Sequence, residues 1–140
     1  MREIKFRGKH KNPYGDKWVY GYYALEDGEH VIVMPHSTSY EEALKEKRPI
    51  SPISVRHTVD YNTIGQYTGL KDANGEEIYE DDIIYVIPED QIAFILWDKE
   101  TARYIIQFEG WCVDFDNYYG KELEVIGNIW DNLELLEEKE

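Results

Sequence analysis

The sequence predicts a mainly β protein in which about ten short antiparallel strands form a small barrel or sandwich, with one or two short helices. Two observations predict this class. Along most of the chain, apolar residues either alternate with polar residues or form short continuous runs, and both patterns are typical of strands. Clusters of Gly, Pro, Asn and Asp interrupt these runs at the spacing expected of turns. We expect one compact unit, with an N-terminal part at residues 1–60 and an acidic, barrel-like part at residues 61–140.

The first part of the chain is expected to form a β-meander. Ile4 and Phe6 alternate with charged residues, which indicates a half-buried strand. The turn-forming residues 12–16 connect this strand to an aromatic one, so that the two form a long hairpin with basic residues on its first arm and tip. Gly28 lies in a second turn that precedes a short apolar strand. The three strands are predicted at residues 3–7, 18–25 and 31–34.

One helix is predicted after the third strand. Ser39 and Glu42 form a capping-box pattern, in which the two side chains accept hydrogen bonds from backbone N–H groups of the first turn. Arg48 precedes Pro49, and because the residue before a proline avoids helical backbone angles, the helix should end there. We expect this short helix to cover one face or one edge of a sheet.

The second half of the chain contains a denser series of strands. Asn74 and Gly75 lie between two β-type segments, and because both tolerate positive φ angles they indicate a hairpin. The apolar runs at 83–87 and 92–97 are typical of strands covered on both faces, and their order resembles the opening of an SH3-like barrel. Gly127 interrupts the last strand, where a bulge or a corner is expected. The strands are predicted at residues 63–68, 77–79, 83–87, 92–97, 104–108, 111–115 and 123–130.

The charge of the chain is unevenly distributed. The chain carries 15 Lys and Arg against 29 Asp and Glu, a formal net charge of −14. Residues 1–60 hold 10 basic and 9 acidic side chains, a net of +1, whereas residues 61–140 hold 5 and 20, a net of −15. This balance excludes a generally basic nucleic-acid-binding protein, so we expect no direct binding to duplex DNA.

The composition also indicates a cytoplasmic protein. A single cysteine cannot form an internal disulfide. The first residues lack the apolar stretch of a signal peptide. No run approaches the roughly 20 apolar residues that a membrane-spanning helix needs, so we expect no membrane association.

No residue pattern indicates a catalytic, cofactor-binding or metal-binding site. The acidic stretch 72–82 lacks the spacing of a calcium-binding loop, because Leu70 occupies the position of the first ligand. Glu80 and Asp82 could converge on a hard cation, but a solvated turn is the preferred interpretation. The four histidines share no ligand spacing, and Cys112 is expected to be a small buried residue of a strand. We therefore expect a protein that is not an enzyme and that holds no cofactor.

The candidate binding residues fall into a basic, aromatic group near the N-terminus and an acidic group in the second half. Trp18, Tyr20 and Tyr22 share one face of their strand, and three interpretations stay open: core packing, a protein interface, or base stacking beside nearby Lys and Arg. The lysines near the first turn lie where truncation removes little buried area, so we expect them to affect binding more than folding. The candidate partner-binding residues are Arg2, Lys5, Arg7, Lys9, Lys11, Lys17, Trp18, Glu76, Glu77, Glu80 and Asp81.

Several blocks of sequence resemble the YopX family of phage and prophage proteins. They follow the family's order over almost the whole chain, and the block Gly-Gln-Tyr-Thr-Gly-Leu-Lys-Asp at 65–72 is highly specific. The resemblance implies a small, mainly β protein of phages and prophages of Gram-positive bacteria with no established activity, and it favours self-association. It supplies no catalytic residues. The blocks lie at residues 2–8, 18–21, 64–72, 74–75 with 78–83, and 124–130.

Two positions depart from the family's pattern. The family has a glycine where Asp81 stands, but Asp tolerates left-handed backbone angles better than most residues, so the turn is expected to persist. The family often has a proline where Leu133 stands, which puts the start of the tail in question. Asp131 can still cap a short helix at 133–136.

Together, these patterns predict a phage or prophage accessory protein that acts by binding in the cytoplasm of its bacterial host. The expected partner is a protein, including further copies of this chain, so we expect a homo-oligomer. The alternative is an acidic decoy or regulator that binds host nucleic-acid-binding proteins through residues 61–140.

Overall fold

The computed structural model of the chain describes residues 2–11, 17–36 and 53–137. The helix predicted at 39–48 and the hairpin tip predicted at 12–16 lie outside the described residues. The chain divides into two compact units. The N-terminal unit is Lys5–Ile64, and the C-terminal unit combines Met1–Ile4 with Gly65–Glu140.

The strands of the N-terminal unit pair in the order β4-β3-β2-β1, and each pair is antiparallel. This arrangement confirms the predicted meander and adds a strand that the sequence patterns did not indicate, β4. Asp27 and Gly28 form the turn between β2 and β3, with φ angles of 50° and 78°. The strands are β1 (Phe6–Lys9), β2 (Trp18–Glu26), β3 (Glu29–His36) and β4 (Ile53–Thr58).

The core of the N-terminal unit is small. Val19, Ile32 and Val59 are 4%, 0% and 2% exposed. Phe6 and Met34 are partly buried and pack against them. Val19 lies on β2 and Ile32 on β3, so the face of the sheet that carries these two side chains is the core face.

The chain segments that follow β1 and β4 meet at one end of this unit. His10 and Val59 form an isolated antiparallel bridge. The Lys11 N–H donates to the Thr58 carbonyl at 3.0 Å, and the Asp60 N–H donates to the Lys9 carbonyl at 2.9 Å. The ends of the first and last strands of the meander are therefore tied together by backbone hydrogen bonds.

The C-terminal unit contains a hairpin and a five-stranded sheet. β5 and β6 pair antiparallel across the turn that holds Gly75, whose φ is 83°, as the Asn-Gly signal predicts. The remaining strands form an antiparallel sheet in the order β10-β9-β8-β7-β11. The elements are β5 (Gly65–Lys71), β6 (Glu77–Tyr79), β7 (Asp82–Val86), β8 (Gln91–Asp98), β9 (Arg103–Phe108), β10 (Trp111–Asp114), β11 (Leu123–Asn128) and the helix α1 (Glu134–Glu137).

The mainly β, antiparallel fold is confirmed, and of the two predicted arrangements, barrel or sandwich, the closed barrel is not formed. Within the described residues the five-stranded sheet is open, with β10 and β11 as its edges. Closure depends on whether two strands distant in sequence meet, and the alternation of side chains within each strand carries no information about this.

One face of the five-stranded sheet packs on the main core. β7 is covered on both faces as predicted, because Ile83 and Ile84 are successive residues that are both 0% exposed. β8 is not: Ala93 and Ile95 are fully buried, while Phe94 between them is only half-buried. The buried cluster consists of Ile78, Ile84, Val86, Ala93, Ile95, Ile106, Phe108, Phe115 and Leu123.

Three local predictions for the second half are confirmed. The register between β11 and β7 shifts between Val125 and Gly127, which is the bulge expected there. Asp81 has a φ of 73°, so an aspartate does adopt the left-handed conformation where the family has glycine. The helix α1 covers Glu134–Glu137, one residue later than the predicted short helix.

None of the helices in the described parts of the chain is both long enough and apolar enough to cross a membrane.

Candidate functional site

An aromatic row lies on β2, on the face opposite the core. Trp18, Tyr20 and Tyr22 alternate with the buried Val19, so they share the other face of the strand; we call these three residues the outer face of β2. Tyr20 and Tyr22 are 43% and 57% exposed, so core packing is wrong for both of them.

Two cations of the neighbouring strand lie over the ring of Trp18. β1 pairs with β2 so that Lys9 lies opposite Trp18 and Arg7 lies opposite Tyr20. The Arg7 guanidinium lies 4.7 Å from the centroid of the Trp18 ring, and the Lys9 ammonium lies 5.8 Å from it. Such cation–π contacts stabilise by roughly 0.5–1 kcal/mol each at exposed sites. They fix the indole at one end of the aromatic row.

The predicted basic group is divided by the structure. Arg7 is only 6% exposed and its guanidinium packs against Trp18 on the face opposite the core, so little of it is accessible, and its role in partner binding stays a prediction. Lys11 and Lys17 are exposed, and Lys5 is half-buried. Arg2 is exposed and belongs to the C-terminal unit, where its side chain lies against Gly69.

Two histidines that the sequence gave no reason to connect lie in contact. His10 Nε2 and His57 Nδ1 are 2.6 Å apart, a hydrogen bond, and the rings meet edge to face. Burial lowers the pKa of His57 from its usual value, and the charges of His10 and Lys17 lower it further. The pair lies at the end of the meander, where the segments after β1 and β4 meet.

The acidic residues selected from the sequence differ in accessibility. Glu76 is exposed, whereas Glu77, Glu80 and Asp81 are half-buried. The Glu77 carboxylate accepts a hydrogen bond from the hydroxyl of Tyr79 at 2.9 Å. Of these four residues, Glu76 is the one most accessible to a partner.

Two neighbouring aspartates are structural. Asp72 is 6% exposed, and its carboxylate accepts backbone hydrogen bonds from Asn74, Glu76 and Val125 at 2.8, 2.9 and 2.8 Å. Asp82 is 1% exposed and accepts the backbone N–H of Tyr79 at 2.7 Å. A solvated turn is therefore the wrong description of Asp82, which is a buried carboxylate that organises the turn after β6.

The structure groups no metal ligands in the part of the chain that it describes: three or more His, Cys, Asp or Glu nowhere come together there in an arrangement suited to an ion. Cys112 is exposed on the edge strand β10, so its predicted burial is wrong. The strand pattern gave the correct secondary structure for this residue but the wrong environment.

A cleft of about 480 Å³ lies in the C-terminal unit beside β5 and the ends of β8 and β9. Tyr104 lines it and packs edge to face against Trp97 and Phe115, with ring centroids 5.0 and 6.1 Å away. Arg103 and Asp114 line the same cleft and form an ion pair at 2.8 Å. Burial raises the pKa of Tyr104 to about 12, so its hydroxyl stays protonated at neutral pH.

A second cavity of about 1010 Å³ lies beside the helix α1. Its walls are the leucines of α1 on one side and residues of β8, β9 and β10 on the other. Asp90 and Glu109 also line it. We call this cavity the α1 groove. The sequence patterns did not indicate it, because it is formed by segments that are distant along the chain.

Comparison with known proteins identifies relatives but no activity. No curated protein matches the chain. The crystal structure of protein EF1440 from Enterococcus faecalis is similar, with 25% sequence identity over 97% of this chain and 99% of that chain and a TM-score of 0.49. Residues 5–137, nearly the whole chain, match the protein family described as "YopX protein". The chain belongs to the YopX family.

Proposed function

We propose that this protein is a phage or prophage accessory protein that acts in the host cytoplasm by binding proteins, including further copies of itself, and that it carries out no chemical reaction. Membership of the YopX family supports the accessory role. The observation that carries the proposal is the exposure of the outer face of β2, where Tyr20 and Tyr22 are 43% and 57% exposed.

The outer face of β2 has the composition of a protein interface. Tyr, Trp and Arg are enriched at the centres of interfaces, where they supply contact area at a low entropic cost. β2 is an inner strand, paired on both sides by β1 and β3, so its aromatic side chains are held at a fixed spacing. The contact of Trp18 with Arg7 removes further freedom. A surface ordered in advance loses less entropy when a partner binds.

Light scattering on the purified protein at tens of micromolar tests self-association. We expect the unmodified protein to form a dimer or a larger assembly, and the double variant Tyr20→Ser/Tyr22→Ser to shift towards the monomer. The matched control is Tyr61→Ser/Tyr119→Ser, which removes two tyrosines that are 62% and 74% exposed elsewhere. A monomeric unmodified protein, or equal dissociation of both variants, would contradict the proposal.

A second function has separate support in the charge of the C-terminal half. Residues 61–140 hold 20 acidic and 5 basic side chains, a density that attracts basic proteins. We propose as the alternative that this half acts as a decoy for nucleic-acid-binding proteins of the host.

The test is competition: the protein should displace labelled duplex DNA from a purified histone-like host protein, and added salt should weaken the effect. The Tyr20→Ser/Tyr22→Ser variant should compete as well as the unmodified protein. Failure to displace the duplex at low salt would exclude this role.

A further inference from the structure

We propose that the α1 groove binds a basic amphipathic segment of a protein partner, with apolar side chains of that segment on the groove floor and its Lys or Arg side chains on the acidic rim. This proposal rests on the proposed function, because both require that the protein acts by binding other proteins. It concerns a different unit from the outer face of β2, so the two can fail separately.

The floor of the groove includes apolar side chains of β8 that lie on the face opposite the main core. Ile92 and Phe94 of β8 lie on the face opposite the fully buried Ala93, and both are only half-buried. Leu135 and Leu136 of α1 form the facing wall and are likewise half-buried. The groove therefore offers apolar surface on two sides that a partner could cover.

A stacked aromatic pair also lines the groove, and its buried member, Phe108, belongs to the main core. The rings of Phe108 and Trp111 stack with centroids 3.9 Å apart and an interplanar angle of 3°. The side-chain amide of Gln107 donates to the carbonyls of Phe108 and Trp111, at 2.7 and 2.9 Å, which ties the turn between β9 and β10. Gly110 allows this turn with a φ of 83°. Trp111 stays 38% exposed, so an indole edge is available at a fixed position.

The charge around the groove favours a cationic occupant. Asp90 and Glu109 line it, and of the described residues that line it none is basic. Glu134 and Glu137 are exposed on α1, on either side of its two leucines. Exposed ion pairs contribute only about 0.2–1 kcal/mol each, so the apolar floor supplies affinity and the rim supplies selectivity for positive charge.

The size of the groove favours a peptide segment over a small molecule. Pockets for small ligands typically measure about 300–1,000 Å³ and enclose most of their ligand. The α1 groove, at about 1010 Å³, lies at the upper limit of this range, and amphipathic segments bind by laying their apolar face into a groove.

A labelled synthetic peptide of leucine and lysine, with the leucines on one helical face, is the probe. Fluorescence anisotropy gives its affinity for the full chain. Trp111→Ala should weaken binding about tenfold or more, because an aromatic side chain that a partner covers commonly contributes much of the binding energy of an interface. The matched control is Trp97→Ala, which removes a tryptophan of similar exposure, 43% against 38%, from the other cleft.

A second variant tests the negative charge of the rim. Asp90→Asn/Glu109→Gln keeps the side-chain shapes, and Asn tolerates the left-handed φ of 51° at position 90. It should weaken binding severalfold at low salt and make affinity less dependent on salt. The proposal would be overturned if the peptide bound Trp111→Ala as tightly as it binds the unmodified protein. It would also be overturned if a peptide with glutamate in place of lysine bound the unmodified protein equally well. Dissociation of a self-assembled form by Trp111→Ala would overturn it too, since the groove would then be filled by a second copy.

Discussion

The carboxylate of Asp72 accepts hydrogen bonds from three backbone N–H groups. One oxygen accepts from Asn74 and Glu76 within the turn after β5, and the other accepts from Val125 on β11. A single buried side chain therefore shapes the hairpin turn and joins it to a strand that is 53 residues away in sequence.

We predict that Asp72→Ala lowers the free energy of unfolding by about 3 kcal/mol, because donors left unsatisfied in a buried site cost roughly 1–3 kcal/mol each. Asp72→Asn should cost less, since it keeps one acceptor oxygen. Urea denaturation followed by tryptophan fluorescence measures both. Glu76→Ala is the control: this exposed neighbour should change stability little.

We expect the environment of His57, partly buried and beside His10, to make the N-terminal unit sensitive to acid. Burial, and then the charges of His10 and Lys17, lower the pKa of His57 below its usual value of 6.5. The folded state therefore favours the neutral ring. The resulting stabilisation is present above pH 6.5 and is lost as the pH falls from there through the lowered pKa.

We predict that the melting temperature falls between neutral pH and about pH 5, and that it falls less steeply in His57→Gln, which cannot be protonated. Lys17→Ala should reduce the slope more weakly, because it removes a smaller cause of the pKa shift. Thermal unfolding monitored by circular dichroism measures the slopes. Identical pH profiles of the unmodified protein and His57→Gln would show that the pair does not control acid stability.

Single residues also show where reasoning from sequence succeeds. The positive φ of Asp81 and the bulge at Gly127 were predictable because they depend on local backbone preferences. The buried roles of Asp72 and Asp82 were not. A carboxylate in an acidic turn looks the same in sequence whether water or distant N–H groups surround it, and the partner of Asp72 on β11 lies far along the chain.

At the scale of elements, β2 and β7 show the same limit. Both carry the apolar, aromatic composition of strands, and both are strands. β7 is covered on both faces, while β2 leaves Tyr20 and Tyr22 exposed, because coverage depends on which other elements pack there. β4 was missed for a related reason: Arg56 and His57 make it too polar to stand out, and its pairing with β3 supplies the missing stabilisation. The α1 groove likewise arises only when β8 to β10 and α1 come together.

The hairpin of β1 and β2 should separate binding from folding. We predict that replacing Lys9, Lys11 and Lys17 by alanine changes the free energy of unfolding by less than about 1 kcal/mol, since two are exposed and the third contributes one cation–π contact. Self-association measured by light scattering should change more. Arg7→Ala is the contrasting variant: this residue is 6% exposed, and its loss should cost about 2 kcal/mol or more. If the triple variant is much less stable than the unmodified protein, these lysines stabilise the fold and the prediction is wrong.

At the scale of the whole molecule, charge follows the division into units. The N-terminal unit ends at Ile64, close to the point where the sequence changes from a net of +1 to a net of −15. The aromatic surface with its flanking lysines and the acidic groove thus belong to different units. One molecule therefore presents two kinds of surface, suited to different partners.

This charge distribution predicts that the protein does not bind free duplex DNA at physiological salt. The chain as a whole carries a formal net charge of −14, which repels the phosphates of a duplex over a screening length of about 8 Å. Anisotropy of a labelled duplex, titrated with the protein at about 50 and 200 mM salt, measures this, because true phosphate contacts weaken steeply over that range. A basic protein partner, by contrast, should bind, with an association rate that rises as salt is lowered. Neutralising the exposed Glu76, Glu100 and Glu109 should slow that association while leaving the duplex result unchanged. Tight binding of the duplex by the unmodified protein at the higher salt would show that the lysines of the N-terminal unit dominate, and that the protein acts on nucleic acid directly.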